Sequence, residues 1–151
     1  MIPVVRGLLQ LGAIVARLEG VQAAGWLPSQ VPLALPAARF IALVDSWLAG
    51  GPFPAPLLVG MSFAAADGNG AHGAEMLHTT GLAFFIGQEI ALAGFAGETR
   101  AQVAKRANRV IDRLITHGPV RDRTSLELAD GTTLVIEPDG PRVLRVRSLP
   151  A

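Results

Sequence analysis

The chain contains no cysteine. That absence removes disulfides, thiolate nucleophiles and cysteine-ligated zinc together, and it fits a cytoplasmic protein. Tyrosine is also missing, and Lys105 is the single lysine. Charge is scarce: 17% of the 151 residues are Asp, Glu, Lys or Arg, against roughly 25% in an average soluble domain. A formal net charge of +1 exerts no whole-molecule pull on nucleic acid or an acidic membrane. No hydrophobic run of membrane-spanning length is found at the start of the chain either. The apolar stretch Leu8–Ala16 is broken by Gln10 and flanked by Arg6 and Arg17, well short of the ~20 residues a bilayer needs. It has no basic lead beyond Arg6 and no clean small-x-small cleavage site after it, so no signal peptide is expected. Neither G-x-S-x-G nor H-E-x-x-H occurs.

What the chain has in quantity is apolar sequence, at 50% of residues. Residues 1–151 make one domain, long enough to bury a real core. That much apolar surface on so small a domain predicts a covering partner, most simply a second copy in a homodimer. The preference for Arg over Lys, with many Ala, Gly and Pro, points to a GC-rich bacterial genome.

Spacing then sets the elements. Pro3 suits the start of a first helix and Gly20 its end. Between them Val4, Val5, Leu8, Leu9, Leu11, Ile14, Val15 and Leu18 cover most of the circumference, leaving Arg6, Gln10 and Arg17 as a narrow polar stripe. A helix so apolar is either deeply buried or shared with another subunit. A short strand over 21–26 and a proline-spaced connection through Pro28, Pro32 and Pro36 lead to a second helix over 36–49. Its inward residues are Phe40, Ile41, Leu43, Val44, Trp47 and Leu48, and Gly50-Gly51-Pro52 stops it.

Strands are expected over 57–65, 77–86 and 89–95. Thr99 with Gln102 forms a capping-box pattern, and Val103, Ala107, Val110, Ile111 and Leu114 follow at helical spacing up to Gly118-Pro119. Asp130-Gly131 and Asp139-Gly140 mark a closing meander. A three-residue loop at 129–131 keeps the apolar face in register by setting Leu126 opposite Leu134. The order α-β-α-β-β-β-α-β-β-β predicts a two-layer α+β fold, with about three helices on one face of a mostly antiparallel sheet.

Gly68-Asn69-Gly70-Ala71-His72-Gly73 matches G-x-G-x-x-G, but a dinucleotide loop must open a helix, whereas a strand is expected next. Asp67, Asn69 and Glu75 do not make a calcium loop, because Ala71 and His72 fall where a ligand and a glycine are needed. His72, His78 and His117 lack any paired spacing, so no metal and no cofactor is expected.

One catalytic constellation is conceivable. His78 and Thr80 share a strand face, and Glu89 follows just past a turn, which is the logic of an acid orienting a histidine beside a hydroxyl. Lys105, Arg106, Arg109 and Arg113 line the outer side of the third helix, with Arg121 and Arg123 beyond. Such a stripe is usually a solvated helix face, and no aromatic interleaves it, so nucleic-acid binding is the weaker reading.

Several segments resemble a known bacterial family. Ala24-Gly25-Trp26-Leu27-Pro28-Ser29, Gly51-Pro52-Phe53-Pro54 and His78-Thr79-Thr80-Gly81-Leu82 with Glu89 are similar, in that order, to the domain of unknown function numbered 4261. The chain departs from that pattern at Phe85-Ile86-Gly87-Gln88, where a tighter Gly-Pro-type turn is expected. The resemblance implies no activity. The resulting expectation is a cytoplasmic bacterial binding or protein-interaction module without catalytic activity, exposing a large apolar surface on its first helix. The alternatives are a hydrolase-like enzyme, which needs His78 and Glu89 within hydrogen-bond reach, and a weak nucleic-acid binder using the basic face.

Overall fold

A computed structural model describes residues 2–27, 33–65, 75–94, 97–128 and 131–148. In chain order the elements are α1 (Ile2–Ala16), β1 (Ala23–Trp26), β2 (Leu33–Pro36), α2 (Ala37–Leu48), α3 (Ala55–Leu58), β3 (Gly60–Ala65), β4 (Glu75–Thr80), α4 (Ala83–Ile86), β5 (Glu89–Ala93), α5 (Arg100–His117), β6 (Thr124–Glu127), β7 (Thr133–Pro138) and β8 (Val143–Ser148). The fold is α+β, as expected. A six-stranded sheet runs β3-β4-β5-β8-β7-β6, and β1 pairs with β2 in a separate ribbon. All pairings are antiparallel except β5 with β8.

The core lies between the sheet and its helices. Leu77, Ile90, Leu92, Leu134, Ile136, Leu144 and Val146 line the buried sheet face. Against them α5 sets Val103, Ala107, Val110, Ile111 and Leu114, the three-and-four spacing of an amphipathic helix. Its start is sharp because Thr99 and Gln102 form a complete capping box, and Gly118 closes it at a positive φ of 87°. The closing meander takes the expected register, Leu126 opposite Leu134, with Gly131 left-handed at φ 82°. Leu144 and Val146 point in, while Arg145 and Arg147 reach Asp139 and Glu137 on the open side.

Four expectations are corrected. The first helix, expected to end at Gly20, ends at Ala16, and Arg17 to Gly20 form turns. Residues 33–36, read as connection, form β2 beside β1. The apolar run 57–65 is split: Pro54 and Pro56 start the short α3, and the strand begins at Gly60. The run 77–86 is not one strand, since β4 stops at Thr80, Gly81 turns with φ 92°, and 83–86 coil into α4. Helices and strands alike bury such runs, so periodicity alone does not separate them.

Outside the sheet core, α1 packs against α2. Val5, Leu9, Ala13 and Ala16 are buried. Gly12 lies against Phe40, where a Cβ would come within 3.3 Å of the ring. Arg6 lies 5.0 Å over the Trp47 ring and donates to the carbonyl oxygen of Leu48 at 3.1 Å. Arg17 pairs with Asp45 at 2.6 Å. A ladder of edge-to-face rings runs from there through Trp47, Phe53, Phe85 and Phe84 to Trp26. It joins α1 and α2 to α4 and β1.

Candidate functional site

The acid Glu89 is fully engaged, but not with the residues read from the sequence. Its Oε2 accepts from Thr79 Oγ1 at 2.7 Å and from the Leu82 amide at 3.2 Å. Its Oε1 accepts from the amides of Gly81 at 2.8 Å and Ala83 at 3.0 Å. Thr79 in turn accepts from the Ile90 amide at 2.8 Å. One carboxylate therefore satisfies three backbone donors at the Thr80–Ala83 corner that would otherwise lack partners. That capture is the physical reason β4 ends where it does.

Strand alternation separates the proposed partners. Thr79 is buried with Leu77 on the core face, while His78 and Thr80 face the helix-free side. His78 sits across from Ser62 and Ala91. Among the described residues no hydrogen bond joins His78 or Thr80 to Glu89. The constellation His78, Thr80, Glu89 is thus replaced by Thr79 with Glu89, a corner lock with no histidine in it. Sequence reasoning chose the wrong threonine because the pleat, not the spacing to the acid, decides which hydroxyl turns inward.

The basic face is also smaller than expected. Lys105, Arg109 and Arg113 are exposed, but Arg106 is 9% exposed and ion-paired with Glu98. Asp112, the lone acid of that stretch, accepts from the Phe53 amide at 2.8 Å and ties α5 to the α2–α3 connection. Arg113 folds along its own helix onto His117, whose Nδ1 lies 2.9 Å from the Arg113 carbonyl oxygen. Beyond it a groove of about 400 Å³ is lined by Arg113, His117, Arg121, Arg123, Thr124 and Ser125. The carbonyl end of α5 opens toward this groove, and its negative dipole opposes an anion there.

Among the described residues no cluster of His, Asp and Glu is placed to hold a metal. His72 and the Gly68–Gly73 loop lie outside the described residues; β3 and β4 on either side form an antiparallel pair, and β4, not a helix, follows the loop. Glu75, considered as a calcium ligand, accepts instead from Arg100 Nε at 2.8 Å. That hydrogen bond holds the Glu75 carboxyl below its ordinary range.

The surface that remains unexplained by the chain's own packing is α1. Val4, Leu8, Leu11, Ile14, Val15 and Leu18 are each between 49% and 66% exposed. They lie on the side opposite Val5, Leu9, Ala13 and Ala16, so the helix carries two apolar faces, one packed and one open. The arginines at the edge of the open face are turned away from it, Arg6 onto Trp47 and Arg17 onto Asp45. Scattered exposed aliphatics are ordinary, but five on one face of α1, with Leu18 in the turn just beyond it, form a contiguous patch. No helix is long and apolar enough to cross a membrane among the described residues. No family model matches the chain, and neither a curated protein nor a solved structure matches it.

Proposed function

We propose that this protein is an interaction module, presenting the open face of α1 to a protein partner rather than catalysing a reaction. One observation carries the reading: the six aliphatic side chains of that face stand in solvent at roughly half exposure or more. Fully covering a Val, Leu or Ile side chain is worth about 1.5–3 kcal/mol, so the half-exposed set holds roughly 5–9 kcal/mol. Association itself costs about 4–15 kcal/mol, so a partner must bring an apolar surface of its own. The Glu89 corner supports the non-catalytic side of the reading, because both carboxylate oxygens are occupied by structural donors. The resemblance to the domain of unknown function numbered 4261 adds no activity to this proposal.

The test is a photo-reactive residue in place of Leu8, introduced in living cells, with one in place of Arg121 as control. Light is expected to yield a defined protein adduct from position 8, lost when Leu18→Glu is added, and none from position 121. Equal adducts from both positions, or an adduct indifferent to Leu18→Glu, would remove α1 as the interaction surface.

A further inference from the structure

Resting on that reading, we infer that the partner of α1 is a second copy of this chain, packed antiparallel about a two-fold axis through Leu11. The open face is symmetric about that residue. On α1 itself Leu8 and Ile14 lie three positions either side of it and Gly7 and Val15 four; Val4 lies seven before it, and Leu18, in the hydrogen-bonded turn that follows the helix, seven after. A two-fold at Leu11 therefore sets Val4 on Leu18, Leu8 on Ile14 and Gly7 on Val15. Each copy offers the surface that the other requires, which is the condition for an isologous interface.

Gly7 supplies an independent sign. Glycine weakens a helix interior, so its presence needs a reason. Gly12 has one inside the chain, since Phe40 packs where its Cβ would stand. Gly7 has none: a Cβ there meets nothing within 4 Å. Set against Val15 of a second copy, it becomes the hollow that takes a β-branched side chain and lets the two backbones approach. A parallel pair would put Gly7 on Gly7 and leave that hollow empty.

Charge favours the same arrangement. The open face has no charged residue, and its flanking arginines are held by Trp47 and Asp45. The first turn of α1 contains no acid and its last turn no base. Antiparallel packing brings the exposed Glu19 of one copy near the N-terminal end of the other copy's α1, where a negative charge is favourable.

A chain without cysteine makes the test direct, because any disulfide must come from the residues introduced. Single variants Leu11→Cys, Val4→Cys and Leu18→Cys are purified reduced, then oxidised with glutathione disulfide at tens of micromolar protein. Leu11→Cys is expected to link to itself, and Val4→Cys to link to Leu18→Cys when the two are mixed. Neither of the latter should link efficiently alone. Native mass spectrometry of the unmodified protein should show twice 15.8 kDa, reverting to 15.8 kDa in Leu11→Glu. All these positions are exposed, and thermal melts followed by circular dichroism verify that the variants fold. Efficient self-linking of Val4→Cys would overturn the antiparallel arrangement. A strictly monomeric unmodified protein with no linking at Leu11→Cys would overturn the second copy as partner. The wider interaction reading would then stand or fall on the mass of the adduct from position 8.

Discussion

Helices α1 and α5 share an amphipathic inner face and differ in what they turn outward. α5 buries Val103, Val110, Ile111 and Leu114 and gives its other side to Lys105, Arg109 and Arg113. α1 buries Val5, Leu9, Ala13 and Ala16 and gives its other side to Val4, Leu8, Leu11, Ile14 and Val15, with Leu18 just past its end. The inner face of a helix reports the core it joins. The outer face reports what the helix expects around it, water for α5 and another apolar surface for α1. Finding the function therefore begins with the outer faces, since the two inner faces are equally well packed.

The contrast can be broken by mutation, and the largest effect is expected in the closed region. Ile111→Ala removes a side chain with 0% exposure and should cost about 3 kcal/mol of unfolding free energy, read from urea denaturation. A loss below about 1 kcal/mol would mean the α5 core collapses around the hole. Glu89→Ala strands the amides of Gly81, Leu82 and Ala83, and should cost about 2–3 kcal/mol. Hydrogen exchange should quicken at those three amides first. An unchanged exchange pattern would show that Glu89 does not hold the corner.

The two glycines of α1 sharpen the comparison within one helix. In a Leu11→Glu background, Gly7→Ala should raise stability by about 0.8 kcal/mol through helix propensity alone. Gly12→Ala should show no such gain, because the new methyl presses on Phe40. Equal effects would mean that both glycines face open space. Leu11→Glu itself should shift unfolding of the monomer by less than about 0.5 kcal/mol, as a surface change does, while abolishing association.

The smallest effect concerns Glu75 and Arg100, which are exposed partners. The Glu75 carboxyl is lowered by its hydrogen bond to Arg100, so its contribution is present above the ordinary carboxylate range. It is lost as pH falls through the lowered folded-state value. The melting temperature of Glu75→Gln should lie slightly below that of the unmodified protein near neutral pH, and the gap should close as pH falls through the lowered folded-state value. A difference that persists in acid would assign the effect to packing of Arg100 on Phe63.

Much of the architecture was legible because local signals agreed with tertiary needs. The capping box at Thr99, the stop at Gly118 and the Leu126–Leu134 register each follow from residues within a few positions of one another. The candidate site was less legible. Its acid, Glu89, was singled out as a partner for His78 and Thr80, whereas the structure pairs it with Thr79. Nothing in the sequence says that the strand will end at Thr80 and bring three amides onto one carboxylate. Arg106 was misplaced for a similar reason, since its partner Glu98 precedes the helix and its burial depends on how the chain enters α5.

By itself the sequence determined the fold class, the presence of three long helices and the spans of α2 and α5, the meander and the double apolar character of α1. These depend on periodicity, caps and turn residues, which act over a few positions and are written in neighbouring residue types. Tertiary structure alone decided which of the two apolar faces of α1 is packed, which threonine meets Glu89, and which arginine of α5 is buried. Those outcomes depend on contacts beyond a single turn, with Phe40 and Trp47 of another helix and with Glu98 where the chain enters α5, and no local spacing encodes the winner.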